Sequence, residues 1–108
     1  MMLEKTKTMN RLLDSYGKLL TDKQLAYMLD YYEEDFSLGE IAENYSVSRQ
    51  AVYDAIKKAE QLLTHYEEVV GFLELEARKQ EAIKKLRSYQ EENYPKDLEL
   101  ATLIDALG

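Results

Sequence analysis

Apolar residues recur along this chain in steps of three and four, from Met9 to Leu107, and almost nowhere in strict alternation. That period predicts helices, and no run of alternating β-branched residues supports a strand. Residues 1–17 place Met9, Leu12, Leu13 and Tyr16 on one face, with Gly17 positioned to stop the helix. Residues 21–34 repeat Leu25, Met28, Leu29 and Tyr32 at helical spacing. Thr21 with Gln24 forms a capping box there, and Leu20 with Leu25 a hydrophobic staple. Tyr27 and Tyr31, four apart, are expected to stack on one face. This Tyr–Met surface reads as core, with a partner groove as the alternative. Asp30, Glu33, Glu34 and Asp35 end the helix against its dipole, as a solvated loop or facing a basic partner.

Residues 37–59, SLGEIAENYSVSRQAVYDAIKKA, carry the densest pattern. Two short apolar sets, Leu38, Ile41, Ala42, Tyr45 and then Val47, Val52, Ala55, Ile56, flank Ser46, Val47 and Ser48. This is the layout of a helix-turn-helix, whose second helix can enter a DNA major groove. Ser37 with Glu40 forms a capping box, and Ser48 caps the second helix. Phe36 with Ile41 and Val47 with Val52 are staples. Such turns need a residue with positive φ, and Ser46 is the expected one. Arg49, Gln50, Tyr53, Asp54, Lys57 and Lys58 are left facing outward.

The helical pattern continues past Ala59. Ile56, Ala59, Leu63, Tyr66, Val70, Leu73 and Ala77 follow alternating steps of three and four, the seam of a coiled coil or of long antiparallel helices. Gly71 interrupts it, as a bend or a break. Residues 72–92 carry Phe72, Leu75, Ala82, Leu86 and Tyr89 on one side, and Asn93, Tyr94 and Pro95 end that stretch. Residues 96–107 form a last short helix with Leu98, Ala101, Ile104 and Leu107 on one face. The expected fold is therefore all-α: a helix-turn-helix domain over residues 1–70 and an amphipathic helical extension over residues 71–108. The extension is too short to build a core by itself. Its apolar faces, with Leu63, Tyr66, Val70, Leu73 and Leu86 as contact residues, are expected to meet a second copy or another protein, with fold-back onto the first domain as the alternative.

Charge changes this picture. The 108-residue chain is 45% hydrophobic and 32% charged, with a net charge of −7. Residues 1–59 hold 10 acidic and 8 basic residues, net −2, and residues 60–108 hold 11 and 6, net −5. Phosphate contacts dominate non-specific nucleic-acid affinity, so an acidic chain is poorly equipped for strong autonomous DNA binding. Two stretches are locally basic: Lys5, Lys7, Arg11 and Lys18, and a run over residues 78–87 with five positive residues and Glu81. Both read as solvated helix faces before they read as RNA or partner contacts.

Catalytic chemistry has no foothold. His65 is the single histidine, and no serine nucleophile motif accompanies it. The four glycines form no phosphate-binding loop, and without cysteine there is neither a disulfide nor a thiolate metal site. No enzyme, cofactor or metal is expected. No apolar run reaches the roughly 20 residues of a membrane span and no signal peptide is visible, so the expected location is the cytoplasm.

Residues 9–63 resemble the YlxM family, small bacterial proteins with a helix-turn-helix similar to region 4 of sigma factors. The resemblance rests on LLTDKQ at residues 19–24, the pair Tyr31 and Tyr32, SLGEIA at residues 37–42, and VSRQAVYD at residues 47–54. It implies an accessory or regulatory role in the signal recognition particle pathway, with the particle's RNA and its GTPase as partners. The comparison with sigma region 4 also shows a departure. The apolar framework of Val52, Ile56 and Leu63 is kept, but the outward positions hold only three bases, Arg49, Lys57 and Lys58, and Asp54 repels phosphate. Arg49 and Gln50 retain the chemistry to read guanine and adenine edges. Arg49, Gln50, Tyr53, Lys57 and Lys58 are thus the candidate nucleic-acid contacts. The alternative to the particle role is a homodimeric DNA-binding regulator with recognition helices about 34 Å apart.

Overall fold

The structure, a computed structural model, describes residues 2–108, with side chains from residue 3 onward. Residue 1 of the expected first helix lies outside the described residues. The elements are α1 Met2–Tyr16, a 3-10 turn Gly17–Leu19, α2 Asp22–Tyr32, α3 Leu38–Tyr45, α4 Arg49–Val70, α5 Phe72–Asn93 and α6 Leu98–Asp105. The fold is all-α, with no strand among the described residues. The chain divides into two compact units, Met1–Gly71 and Phe72–Gly108.

In the first unit α4 packs against α1, α2 and α3. The periodic residues of each helix supply the core: Met9, Leu12, Leu13 and Tyr16 from α1, Tyr27 and Met28 from α2, Ile41 and Ala42 from α3, and Val52, Ile56, Ala59 and Leu63 from α4. Both expected capping boxes form. Thr21 Oγ1 accepts from the Gln24 backbone N–H at 3.1 Å, and Gln24 Oε1 accepts from the Thr21 backbone N–H at 3.0 Å. Ser37 and Glu40 repeat this at 3.1 and 3.0 Å. Such caps satisfy backbone donors that a helix start otherwise leaves to water. Gly17 lies where α1 closes on α2, and a Cβ there would approach Leu25 Cδ1 to 3.2 Å.

The tyrosines of α2 do not stack on each other along one face. Tyr27 turns inward and meets Tyr45 of α3 edge-on, with centroids 4.9 Å apart at 71°. Tyr31 meets its neighbour Tyr32 at 5.0 Å and 87°. Edge-to-face contact suits the ring quadrupole, and a ring on a second helix buries more of Tyr27 than one on its own helix would.

Gly71 ends α4 rather than bending it. It adopts φ 67°, and its N–H donates to the Glu67 carbonyl at 2.8 Å. Positive φ is the conformation glycine takes at a helix C-terminus without a Cβ penalty.

In the second unit α5 and α6 pack through Ile83 and Ile104, the two buried apolar side chains of that pair. Arg87 Nη1 donates to Asp105 Oδ1 at 2.7 Å, and the buried Gln90 amide donates to the Tyr94 carbonyl at 3.0 Å. Asp97 caps α6 by accepting from the Leu100 N–H at 2.9 Å. The packing face of α5 differs from the expected one. Leu75, Ala82, Leu86 and Tyr89 are exposed, and α6 covers a stripe through Ile83 and Gln90 instead. At 100° per residue that stripe lies about a quarter turn round the helix. On α6, Ile104 is buried while Leu98 faces outward, and Leu107, beyond the end of α6, is exposed too.

Candidate nucleic-acid interface

The turn between α3 and α4 sets the geometry. Ser46 takes the left-handed conformation, φ 55° and ψ 45°, and its N–H reaches back to the carbonyls of α3. The Val47 N–H donates to the Ala42 carbonyl at 3.0 Å, closing the end of α3. Ser48 then starts α4, its Oγ accepting from the Ala51 N–H at 3.0 Å. The chain turns within Ser46, Val47 and Ser48, and Ile41 and Ala42 are buried, as are Val52 and Ile56. That packing sends the opposite side of α4 into solvent.

Arg49, Gln50, Tyr53, Asp54, Lys57 and Lys58 are all exposed on this helix. Arg49, Gln50, Tyr53 and Lys57 fall within about 100° of arc, and Lys58 lies about 80° beyond its edge. Leu38, Arg49, Gln50 and Tyr53 line an open depression of about 540 Å³ at the start of α4. Gln50 Nε2 donates to Asp54 Oδ1 at 2.9 Å, so the amide and the carboxylate form one polar unit. The Lys57 ammonium lies 5.7 Å from the Tyr53 ring centroid, a cation–π distance.

A sequence-family model described as "Putative helix-turn-helix protein, YlxM / p13 like" (UPF0122) matches residues 3–104. The chain belongs to this family. Relatives include a UPF0122 protein of Geobacillus kaustophilus, 52% identical over 98% of this chain and 96% of its own length. UPF0122 protein YlxM of Bacillus subtilis is 50% identical over 99% and 96% of the two chains. A UPF0122 protein of Bacillus licheniformis is 53% identical over 99% and 96%. In this chain the two short helices and the turn between them are α3, the Ser46 turn and the start of α4.

Within this family member, the charge of Lys57 is shared. Its ammonium lies 3.7 Å from Glu60 Oε1, one turn further along α4. Glu60 is only 6% exposed. It also takes the Lys5 ammonium of α1 at 3.2 Å and accepts the Tyr32 hydroxyl of α2. Burial, the bond to Glu60, and the charge of Glu60 together push the Tyr32 phenol above its ordinary range. One carboxylate therefore ties α1 and α2 to the outward row of α4. Glu60 is not among the residues that the sequence pattern singles out. Its signal was an acid one residue after the core position Ala59 and three after Lys57, at the rim of the apolar stripe.

The five expected partner-contact residues do not share one environment. Leu63 is 0% exposed, covered inside the first unit, and has no surface to offer a partner. That reading is corrected: the helices packed on α4 use Leu63 as core. Tyr66 is half-buried, its ring 6.3 Å from Tyr16. Leu73 is half-buried, and Val70 and Leu86 are exposed. His65 lies on the exposed side of α4. Among the described residues no cluster of histidine and carboxylate side chains is arranged to hold a metal ion. None of the described helices is long and apolar enough to cross a membrane.

Proposed function

We propose that this protein is a non-enzymatic, cytoplasmic accessory factor of the signal recognition particle pathway, binding the particle's RNA, its GTPase, or both through the helix-turn-helix domain. The pathway comes from the resemblance of residues 9–63. The choice of RNA or protein over duplex DNA rests on one observation: the outward row of α4 sets an exposed tyrosine beside a lysine whose charge is shared with an acid. Tyr53 is 43% exposed beside Lys57, while Glu60 shares the Lys57 charge and Asp54 occupies Gln50. Duplex affinity is driven by uncompensated positive charge. RNA loops are gripped instead by stacking their bases on aromatic side chains and arginine planes, which Tyr53 and Arg49 supply.

A DNA-binding regulator is the second reading. Arg49 and Gln50 stand at the N-terminal end of α4, where recognition helices of this type touch base edges. Either role is proposed to operate in a homodimer. The exposed stripe of Leu75, Ala82, Leu86 and Tyr89 on α5 belongs to a unit too small to be stable by its own core.

The deciding experiment titrates the protein at near-physiological salt with the particle's RNA, the particle's GTPase and a generic duplex. Tight binding to RNA or GTPase with weak, steeply salt-dependent binding to duplex supports the first reading. Binding to duplex alone overturns it in favour of the second. Joint substitution of Arg49, Tyr53 and Lys57 removes nucleic-acid binding under both, and binding that survives unchanged makes the helix-turn-helix a scaffold.

A further inference from the structure

The first unit carries a second concave surface, lined by none of the residues of the α4 row that begins at Arg49. It is a cleft of about 370 Å³ where α2 gives way to α3, lined by Lys5, Thr6, Tyr31, Tyr32, Asp35, Phe36, Ser37 and Glu40. Its aromatic wall is held by two contacts. Tyr31 and Tyr32 lock edge to face at 5.0 Å, and the Tyr32 hydroxyl is tethered to Glu60. The cleft is also acidic. Asp35 and Glu40 both line it, and the one basic lining residue, Lys5, has its ammonium 3.2 Å from the Glu60 carboxylate. Glu40 is held in its charged form by the Ser37 backbone and hydroxyl, which keep its carboxyl below the usual range. Glu33 and Glu34, immediately before Asp35, are exposed and extend the negative charge along the loop.

We propose that this cleft is a docking site for a basic protein segment, with an arginine side chain seated against Tyr31 between Asp35 and Glu40. Three features select this occupant. A guanidinium stacks flat on an aromatic face and bonds carboxylates in a fork, matching a wall of rings with acids beside it. The volume is near the ~300 Å³ lower end of small-ligand clefts, which suits a side chain and not a helix. The negative charge runs on past the cleft to Glu33 and Glu34, longer than one small cation covers, so a chain with further basic residues matches it better. A nucleic acid would meet these same carboxylates with its phosphates. The inference does not depend on the nucleic-acid reading, because the two surfaces use different residues.

The test uses isotopically labelled full-length protein, since nine tyrosines and no tryptophan leave emission unable to report one site. The protein is titrated, with NMR detection, with a short arginine–serine repeat peptide, a glutamate–serine repeat of the same length, and an RNA hairpin. The expected result is salt-sensitive binding of the arginine peptide, with shifts concentrated at Tyr31, Tyr32 and Phe36. Asp35→Asn with Glu40→Gln should weaken it roughly tenfold, the loss of two charge-assisted contacts. These replacements spare the fold: Asp35 has φ 59°, which Asn tolerates, and Gln keeps the capping box. Tyr31→Ala should weaken binding comparably, and Arg49→Ala should leave it unchanged. The proposal is overturned if the arginine peptide does not bind, if its shifts fall elsewhere, or if the charge variant binds it equally well. It is also overturned if the glutamate peptide or the RNA moves the same cleft residues.

Discussion

The Tyr32 hydroxyl on α2 donates to the Glu60 carboxylate on α4, across 28 residues of sequence, and Glu60 is nearly closed off from water. Lys5 and Lys57 complete its environment from α1 and α4. A buried carboxylate with one donor removed keeps its desolvation cost and loses the compensation. Tyr32→Phe should therefore destabilise the protein by about 1–3 kcal/mol. Both lysines are about half exposed, so their ion pairs contribute less than that bond. Urea denaturation of the single variants and of Tyr32→Phe with Glu60→Gln would isolate the coupling. Strict additivity would mean that the bond contributes nothing.

The same pair predicts an alkaline limb. The folded-state Tyr32 phenol titrates above its ordinary value of 10.0. The native state then holds its proton more tightly than the unfolded chain does. This contribution is fully present below pH 10, declines as the unfolded phenol ionises, and is lost once pH passes the folded value. Denaturation midpoints measured from pH 8 upward should fall more steeply for the natural protein than for Tyr32→Phe. Parallel curves would refute the linkage.

Leu63 and Val70 lie seven residues apart on one expected seam but differ in burial, 0% against 60% exposed. Leu63→Ala should cost about 2–5 kcal/mol, the range for a large-to-small change in a core. Val70→Ala should stay within about 0.5 kcal/mol. Thermal denaturation of both variants checks the assignment of Leu63 to the core, and equal losses would contradict it.

Ser46 holds φ 55° in the turn that aims α4. A side chain in the left-handed region costs about 1–2 kcal/mol relative to ordinary backbone, and glycine avoids much of that cost while adding unfolded-state entropy. Ser46→Gly should be neutral or stabilising, and Ser46→Val clearly destabilising. The order of the melting temperatures decides, and a valine variant as stable as the glycine one would show that the turn imposes no such constraint.

Ser37→Ala removes one half of a capping box and should cost about 1 kcal/mol. The Ser37 backbone N–H and then its hydroxyl hold the Glu40 carboxyl below its ordinary value of 4.5; alanine keeps the first and removes the second, so only the lesser share is linked to pH. Glu40 stabilises the fold above that value and loses this effect as pH falls through the folded one. The gap between Ser37→Ala and the natural protein should therefore narrow in acid. A gap independent of pH would separate the hydroxyl cap from the carboxylate.

The sequence by itself determined whatever is decided between neighbours in the chain. Thr21 with Gln24, Ser37 with Glu40, and Ser48 announce their helix starts because a cap and its target lie within three residues. Ser46 was legible as the positive-φ residue because the turn around it is short, and Gly71 as an interruption because glycine is costly inside a helix. The outward position of Arg49, Gln50, Tyr53 and Lys57 followed from the apolar set on the other side of α4. The tertiary structure decided what depends on which surface arrives from elsewhere. α5 carries two adjacent stripes, one through Leu75 and Leu86 and one through Ile83 and Gln90, and its period cannot say which one α6 covers. The partner of Tyr27 is Tyr45, on another helix, and Leu63 is core because α4 is packed on several sides. Glu60 is the sharpest case. A carboxylate at the rim of an apolar stripe belongs in water unless donors close over it, and Tyr32 and Lys5 come from helices whose approach no local pattern encodes.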